Sequence, residues 1–403
     1  MKKFHLELSD PVIVTQGEVG DQAWGHYQFP RFFLTKEGNI CCSWEYSNDS
    51  IEYDGKNGYV ISEDQGKSWR PLREDDTILP LVKMKNGKYF AGFRSRGAHP
   101  VDWFDNYTPG FTQHNRRVYF AEDIDCSPED TEVYASEYDP ETGETTEFKV
   151  TVNWPFMPLS EHAGLKAYPV TQVFALCDST GHLYLRDDDD MYYVLYTKGF
   201  DSTAKTREEA VMKYNHYSSV YVFKSSDFGR TWDYLSQISI DDDSFSEKTR
   251  FEGFDEPMMA QMPDGSVVML IRTGCDHPSY IARSTDKCRT WSKPAVFDDI
   301  GVLPQIKALG CGVTVATYGR PEMRVRATSD PAGLVWEDPI TVPLITDPDN
   351  VDIYNRNVSC FYTRLLPLDD HTVLWTYTEF LHPNAEGQPV KTVLTRTITV
   401  VED

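Results

Sequence analysis

The chain has 403 residues and a formal net charge of −24. With no basic stripe to offset that charge, nucleic acid is excluded as a partner, and an anionic substrate needs a local arginine cluster working against the global field. Twenty-three Tyr, 21 Phe and 9 Trp favour a β-rich protein with much half-buried surface.

The first residues, MKKFHLELSD, hold two lysines with no apolar run behind them, so they do not read as a secretory leader. No run of about 18 apolar residues predicts a membrane helix. Eight cysteines show neither a CxxC nor a zinc spacing. They read as reduced, mostly buried thiols, and the expected compartment is the cytoplasm.

In chain order, residues 28–33 read QFPRFF and lead into a turn followed by an alternating strand, KEGNICCSWEY (36–46). The segment 47–62, SNDSIEYDGKNGYVIS, carries Asp49 and Asp54. SEDQGKSW (62–69) closes it with a polar turn. KNGKYFAGFR (85–94) is a second turn-strand unit, and Arg94, Arg96, His99 and Asp102 follow in FRSRGAHPVD. STGHLYLR (179–186) reads as a third unit. The acidic runs at 187–190 and 241–243 read as solvated loops, and TAKTREEAVMKY (203–214) as one short helix in an insertion. SSDFGRTW (225–232) repeats the polar turn. FDEPMMAQMPDGSVVMLIR (254–272) is a strand, an Asp-Gly turn and a return strand, with Glu256 and Arg272 at its two ends. STDKCRTW (284–291) is the polar turn again, with Cys288 where Gly is expected. LGCGVTVATYGR (309–320), TSDPAGLVW (328–336) and VSCFYTRLLPLDDHTVLWTYTEF (358–380) supply a unit, a turn and a last unit.

The polar turns share one chemistry. Asp accepts hydrogen bonds from turn amides, Gly supplies φ > 0, and Trp packs the turn onto a sheet. Six turn-strand units across the whole length predict an all-β fold, a six-bladed β-propeller of four-stranded antiparallel sheets in which residues 1–403 form one domain. The polar turns are then scaffold, placed equivalently in their blades. In the 254–272 hairpin an antiparallel return brings Arg272 beside Glu256 on one rim.

The pattern Ser/Thr-x-Asp-x-Gly-x-Thr-Trp resembles the Asp-box, and with six turn-strand units the chain resembles the sialidase (neuraminidase) superfamily over essentially its full length. That resemblance implies a retaining glycoside hydrolase with a Tyr nucleophile. Sialic acid carries a carboxylate on its anomeric carbon. A neutral phenol avoids the repulsion that a carboxylate nucleophile would meet, but it needs a neighbouring base. On this resemblance Tyr362 is the nucleophile, with Tyr354 as runner-up, and Glu256 is its base. Arg31, Arg272 and Arg320 hold the substrate carboxylate, with Arg324 and Arg326 less well placed. The acid/base is Asp54 or Asp49, since spacing from Arg31 favours the first and spacing back from Ser62 the second. QFPRFF departs from the family's Arg-Ile-Pro by placing Pro before the Arg. Arg94, Arg96, His99 and Asp102 could line the same rim and read the rest of the sugar.

The implied function is exo-acting removal of a terminal sialic acid, or a related acidic sugar, from a small or oligosaccharide glycan. No metal or organic cofactor and no membrane are implied. The alternatives are a related propeller glycosidase acting on a different acidic sugar and a non-catalytic carbohydrate-binding propeller. The oligomeric state is not determined by the sequence.

Overall fold

A computed structural model describes residues 2–403 apart from 47–55, 81, 96–100, 114–115, 126, 157, 161–170, 173–181, 187, 213–215, 242–250, 276 and 345–357. The strands fall into six antiparallel units in chain order, the blades of a β-propeller, and parallel pairing of Thr151–Asn153 with Thr231–Asp233 and of Ser218 with Gly253 joins blades 2, 3 and 4 into one continuous sheet. Blade 1 is Gln28–Leu34, Ile40–Glu45, Asn57–Ser62 and Arg70–Pro71. Blade 2 is Val82–Lys83, Tyr89–Ser95, Val133–Tyr138 and Thr145–Asn153. Blade 3 is His182–Tyr184, Met191–Lys198, Ser218–Ser225 and Thr231–Ile238. Blade 4 is Phe251–Gln261, Val267–Gly274, Ser279–Ser284 and Ala295–Asp298. Blade 5 is Val302–Ala308, Thr314–Gly319, Met323–Thr328 and Ile340–Val342.

Blade 6 joins the two ends of the chain. Arg364–Pro367, Thr372–Pro383 and Pro389–Glu402 supply its first three strands. The N-terminal strands Phe4–Leu8 and Val12–Gln16 both pair with Pro389–Glu402 and form its outer edge. The ring is therefore closed by hydrogen bonds between segments almost 400 positions apart in sequence, as Phe4 pairs with Glu402.

Two elements differ from their sequence reading. His182–Tyr184 pairs with Met191–Lys198 as the first strand of blade 3, so the turn of that unit is the acidic run and not STGH. Asp188, Asp189 and Asp190 accordingly make ion pairs with Lys287 of blade 4, Lys85 of blade 2 and Lys224 of blade 3. A hairpin turn between neighbouring blades places its carboxylates within reach of their lysines, which a run of like charges in sequence does not reveal. The expected 203–214 helix is one turn, Arg207–Ala210, capped by the Thr206 side chain, in the connection between the second and third strands of blade 3.

The four polar turns occupy one structural position, the hairpin between the third and fourth strands of blades 1, 3, 4 and 5. In blade 3 the Ser225 hydroxyl donates to Asp227 at 2.9 Å and accepts from the Gly229 amide at 2.9 Å. Asp227 also accepts from the Thr231 amide at 2.8 Å. Blades 1 and 4 repeat this with Ser62, Asp64 and Gly66, and with Ser284, Asp286 and Cys288. Asp330 holds the fourth turn through the amides of Ala332, Leu334 and Val335.

Each turn also reaches the preceding blade. A Cβ on Gly66 would lie 2.7 Å from Leu374 of blade 6, and one on Gly229 would lie 2.7 Å from Phe90 of blade 2. Cys288 keeps φ at +62° with a side chain and packs in the core shared with blade 3. That conformation costs an L-residue about 1–2 kcal/mol, and burial of the thiol offsets it. Cys288 is one of six free, buried cysteines among the described residues, as the sequence suggested.

The core consists of clusters between neighbouring blades. Phe90, Phe93, Tyr193 and Trp232 join blades 2 and 3, and Met323, Val325, Trp375 and Tyr377 join blades 5 and 6. A smaller sheet, Phe111–Gln113, Arg116–Phe120, Pro158–Ser160 and Thr171–Gln172, is built from two connections flanking the outer strands of blade 2. Strand direction alternates within a blade. The start of each inner strand and the connection between strands two and three therefore share one end of the ring, and the polar turns sit at the other.

Two outcomes test this scaffold. Asp227→Ala strips the turn of its acceptor and should lower the unfolding free energy by about 1–3 kcal/mol in urea titrations. The second concerns Asp188. Burial opposes its charge, but the Lys287 ammonium, the Asp190 amide and the Tyr192 hydroxyl outweigh burial and hold its pKa down to about 2. A depressed folded pKa contributes stability above the unfolded value near 3.9, and that stability is lost as pH falls through the folded value. Asp188→Asn should therefore flatten the acid limb of the stability profile between roughly pH 4 and pH 2, by on the order of 1 kcal/mol. An unchanged limb would reject the clasp.

Candidate active site

Glu256 is the centre of the site. Strand Phe251–Gln261 loses register between Phe251 and Asp255 and again between Asp255 and Met258. At that irregularity Glu256 adopts φ +40°. A regular strand would point Asp255 and Glu256 to opposite faces. Here both are buried, at 2% and 5% exposure. Strain of this kind collects at functional sites, where surrounding contacts hold it in place.

The Glu256 carboxylate meets three donors from three blades. Its Oε1 accepts from Tyr362 Oη at 2.5 Å, just ahead of the first strand of blade 6, and from Arg272 Nη1 at 2.7 Å, in blade 4. Its Oε2 accepts from the Leu303 amide of blade 5 at 2.9 Å, and Leu303 itself has φ +39°. The Tyr362 ring stands edge-on to Phe29 at 4.9 Å between centroids, and Phe29 stands edge-on to Trp24 at 6.2 Å. An aromatic wall thus flanks the phenol.

The electrostatics follow from this crowding. Burial pushes the Tyr362 phenol well above its usual value, and the Glu256 charge adds to that effect while Arg272 opposes it. Burial works against the Arg272 cation, yet the carboxylates of Glu256, Asp255 and Glu252 outweigh it and keep Arg272 charged. Asp255 is pushed well above the carboxylate range by burial, against Arg272 and with help from Glu252 and Glu256. Its Oδ1 has no hydrogen-bond partner among the described residues, and Arg272 Nε lies 3.9 Å away.

Arg272 and Arg320 converge on one atom. Arg272 Nη2 lies 3.6 Å and Arg320 Nη1 3.1 Å from the Cys275 sulfur. Arg320, at φ +61°, also donates to the Cys360 carbonyl at 3.0 Å, while its Nε is buried without a partner among the described residues. Arg31 stands on the inner strand of blade 1, 38% exposed, with Nη2 3.7 Å from Glu45 Oε1. Arg324 and Arg326 lie elsewhere, the first on Asp298 at 2.6 Å and the second on the carbonyls of Phe297 and Glu337. Asp49, Asp54, Tyr354, Arg96 and His99 lie outside the described residues, as does the side chain of Asp102, and Arg94 is on the second strand of blade 2.

Sequence reasoning missed Asp255, Cys275 and Arg364, which opens the inner strand of blade 6. Arg364 was within reach of it, lying two residues after Tyr362. Asp255 was not, because only the irregularity at Glu256 turns it inward.

No protein-family model matches the chain, and no curated protein matches it. Among solved structures, a protein of unknown function from Dyadobacter fermentans DSM 18053 is similar over 98% of this chain and 99% of that one, with 16% identity and a TM-score of 0.61. The Hadza microbial sialidase Hz136 is similar over 93% of this chain and 65% of that one, at 14% identity and a TM-score of 0.48. An alpha-L-arabinanase from Penicillium chrysogenum gives 96% and 98% coverage, 12% identity and a TM-score of 0.47. At these identities the likeness is one of fold, carried by the first of the three.

Arg272→Met removes the guanidinium that pairs with the buried Glu256 carboxylate. It should cost about 3–5 kcal/mol of stability in denaturant titration, and Arg272→Lys should recover part of that loss. A neutral effect of the methionine would show that the carboxyls are not held by Arg272.

Proposed function

We propose that the protein is a retaining, exo-acting glycoside hydrolase that removes a terminal sialic acid or a related acidic sugar. The observation that carries this reading is the 2.5 Å hydrogen bond from Tyr362 Oη to Glu256 Oε1. A non-catalytic sugar-binding surface has no need of a phenol joined to a buried carboxylate.

In this mechanism Glu256 takes the phenol proton as Tyr362 Oη attacks the anomeric carbon. The phenol's raised pKa makes it a poor nucleophile until that proton moves. Arg272, bonded to the same Glu256 oxygen, is the cation paired with the base. Arg31, Arg272 and Arg320 hold the substrate carboxylate, for which guanidinium forks suit better than lysine. Asp54 or Asp49 protonates the leaving oxygen and then activates water to release the sugar.

Tyr362→Phe should reduce turnover on fluorogenic sialosides or uronosides by on the order of a thousandfold, about 4 kcal/mol of transition-state stabilisation. Binding of the free acidic sugar should persist, read by calorimetry. Full turnover in that variant would sink the assignment. A panel in which uronosides react and sialosides do not would select the other acidic sugar.

A further inference from the structure

Three inner strands that follow one another around the axis each carry a basic residue: Lys307 in blade 5, Arg364 in blade 6 and Arg31 in blade 1. The inner strands of blades 5 and 6, and those of blades 6 and 1, lie against each other. Blades 5 and 6 are joined at this level by the hydroxyls of Thr317 and Thr363, 3.0 Å apart. Leu303, whose amide holds Glu256, is four residues ahead of Lys307, so Lys307 lies about 13 Å further along the axis at roughly 3.3 Å per residue. Arg364 is two residues beyond Tyr362 and opens the inner strand of blade 6. Arg364 and Lys307 thus stand further along the chain's inner strands than the residues that bond Glu256.

Two of the three lack a counter-charge among the described residues, while Arg31 faces Glu45. Arg364 donates to the Thr363 carbonyl at 3.0 Å, and neither it nor Lys307 forms an ion pair among the described residues. Glu256, the carboxylate among Arg364's charged neighbours, is already bonded to Tyr362, Arg272 and Leu303. All three cations are only partly exposed. A chain with 63 acidic and 39 basic residues has acids to spare, yet places none against Arg364 or Lys307 among the described residues. Partly buried, unpaired charges carry a large desolvation cost, and adjacent like charges add to it.

We infer that the protein binds one small inorganic anion of the halide class between Arg364 and Lys307, on the neighbouring inner strands of blades 5 and 6. The titration behaviour agrees. Burial first, and then Arg31, bring Arg364 down to about 10, and burial and Arg364 lower Lys307. A bound anion relieves both. The depth of Lys307 separates this site from a sugar carboxylate held beside Tyr362, and the inference does not depend on the glycosidase reading.

Bromide is the direct probe. Crystals of the intact protein grown in sodium bromide should show an anomalous peak between the Arg364 guanidinium and the Lys307 ammonium. No peak there, or a peak beside Arg272 and Arg320 instead, overturns the inference. In solution, the unfolding midpoint of the intact protein should rise as chloride replaces gluconate at fixed ionic strength, following ln(1 + [L]/Kd). Lys307→Met should lose that rise and Lys307→Arg should keep it. An equal rise in Lys307→Met would place the anion elsewhere.

Discussion

The Glu256 carboxylate ties together three blades that share no local sequence. One oxygen takes both the phenol of Tyr362 and a guanidinium nitrogen of Arg272, and the other takes the Leu303 amide. A buried carboxylate is stable only when its lone pairs are filled and a cation stands nearby. Meeting that demand fixes where blades 5 and 6 begin relative to blade 4. It also accounts for the left-handed backbone at Glu256, Leu303 and, beside the site, Phe361, Arg320 and Phe29. These residues hold conformations that regular strands avoid because the contacts around the carboxylate over-determine them.

The scaffold makes such strain affordable. Apolar clusters join blades 2 and 3, 3 and 4, 4 and 5, 5 and 6, and 6 and 1, so most blade faces are covered by a neighbour. The polar turns at the far end add a second kind of junction. Their left-handed residues bring backbone against the preceding blade, as Gly229 does against Phe90 and Gly66 against Leu374. Gly253 does the same between blades 3 and 4, where a Cβ would fall 2.3 Å from the Ser218 amide. The chain ends close the ring through Pro389–Glu402. Rigidity at the far end and the perimeter leaves the axial end free to carry buried charge.

That charge is unevenly paired. Arg31, on the inner strand of blade 1, faces Glu45. Around the phenol, one guanidinium serves several carboxyls, as Arg272 faces Glu256, Glu252 and Asp255. Elsewhere the balance reverses, with Arg364 and Lys307 lacking an acid among the described residues. The field across the Glu256–Tyr362 pair therefore comes from few groups at close range. The net −24 of the whole chain contributes little at such distances once solvent screens it.

The sequence by itself determined the repeat, because turn chemistry is local. Asp, Gly and Trp at fixed offsets need only their own hairpin, and Asp64, Asp227, Asp286 and Asp330 occupy equivalent ones. It also brought Glu256 and Arg272 together, since an antiparallel return depends on a single turn. Tertiary structure alone decided the rest. The inward rotation of Asp255 depends on a bulge that no residue pattern announces. The pairing of Asp188 with Lys287 depends on which hairpin lies next to which blade. The meeting of Arg272 and Arg320 on Cys275 depends on how blade 5 packs against blade 4, and the inner strands carrying Arg31, Arg364 and Lys307 become neighbours only because the chain ends close the ring.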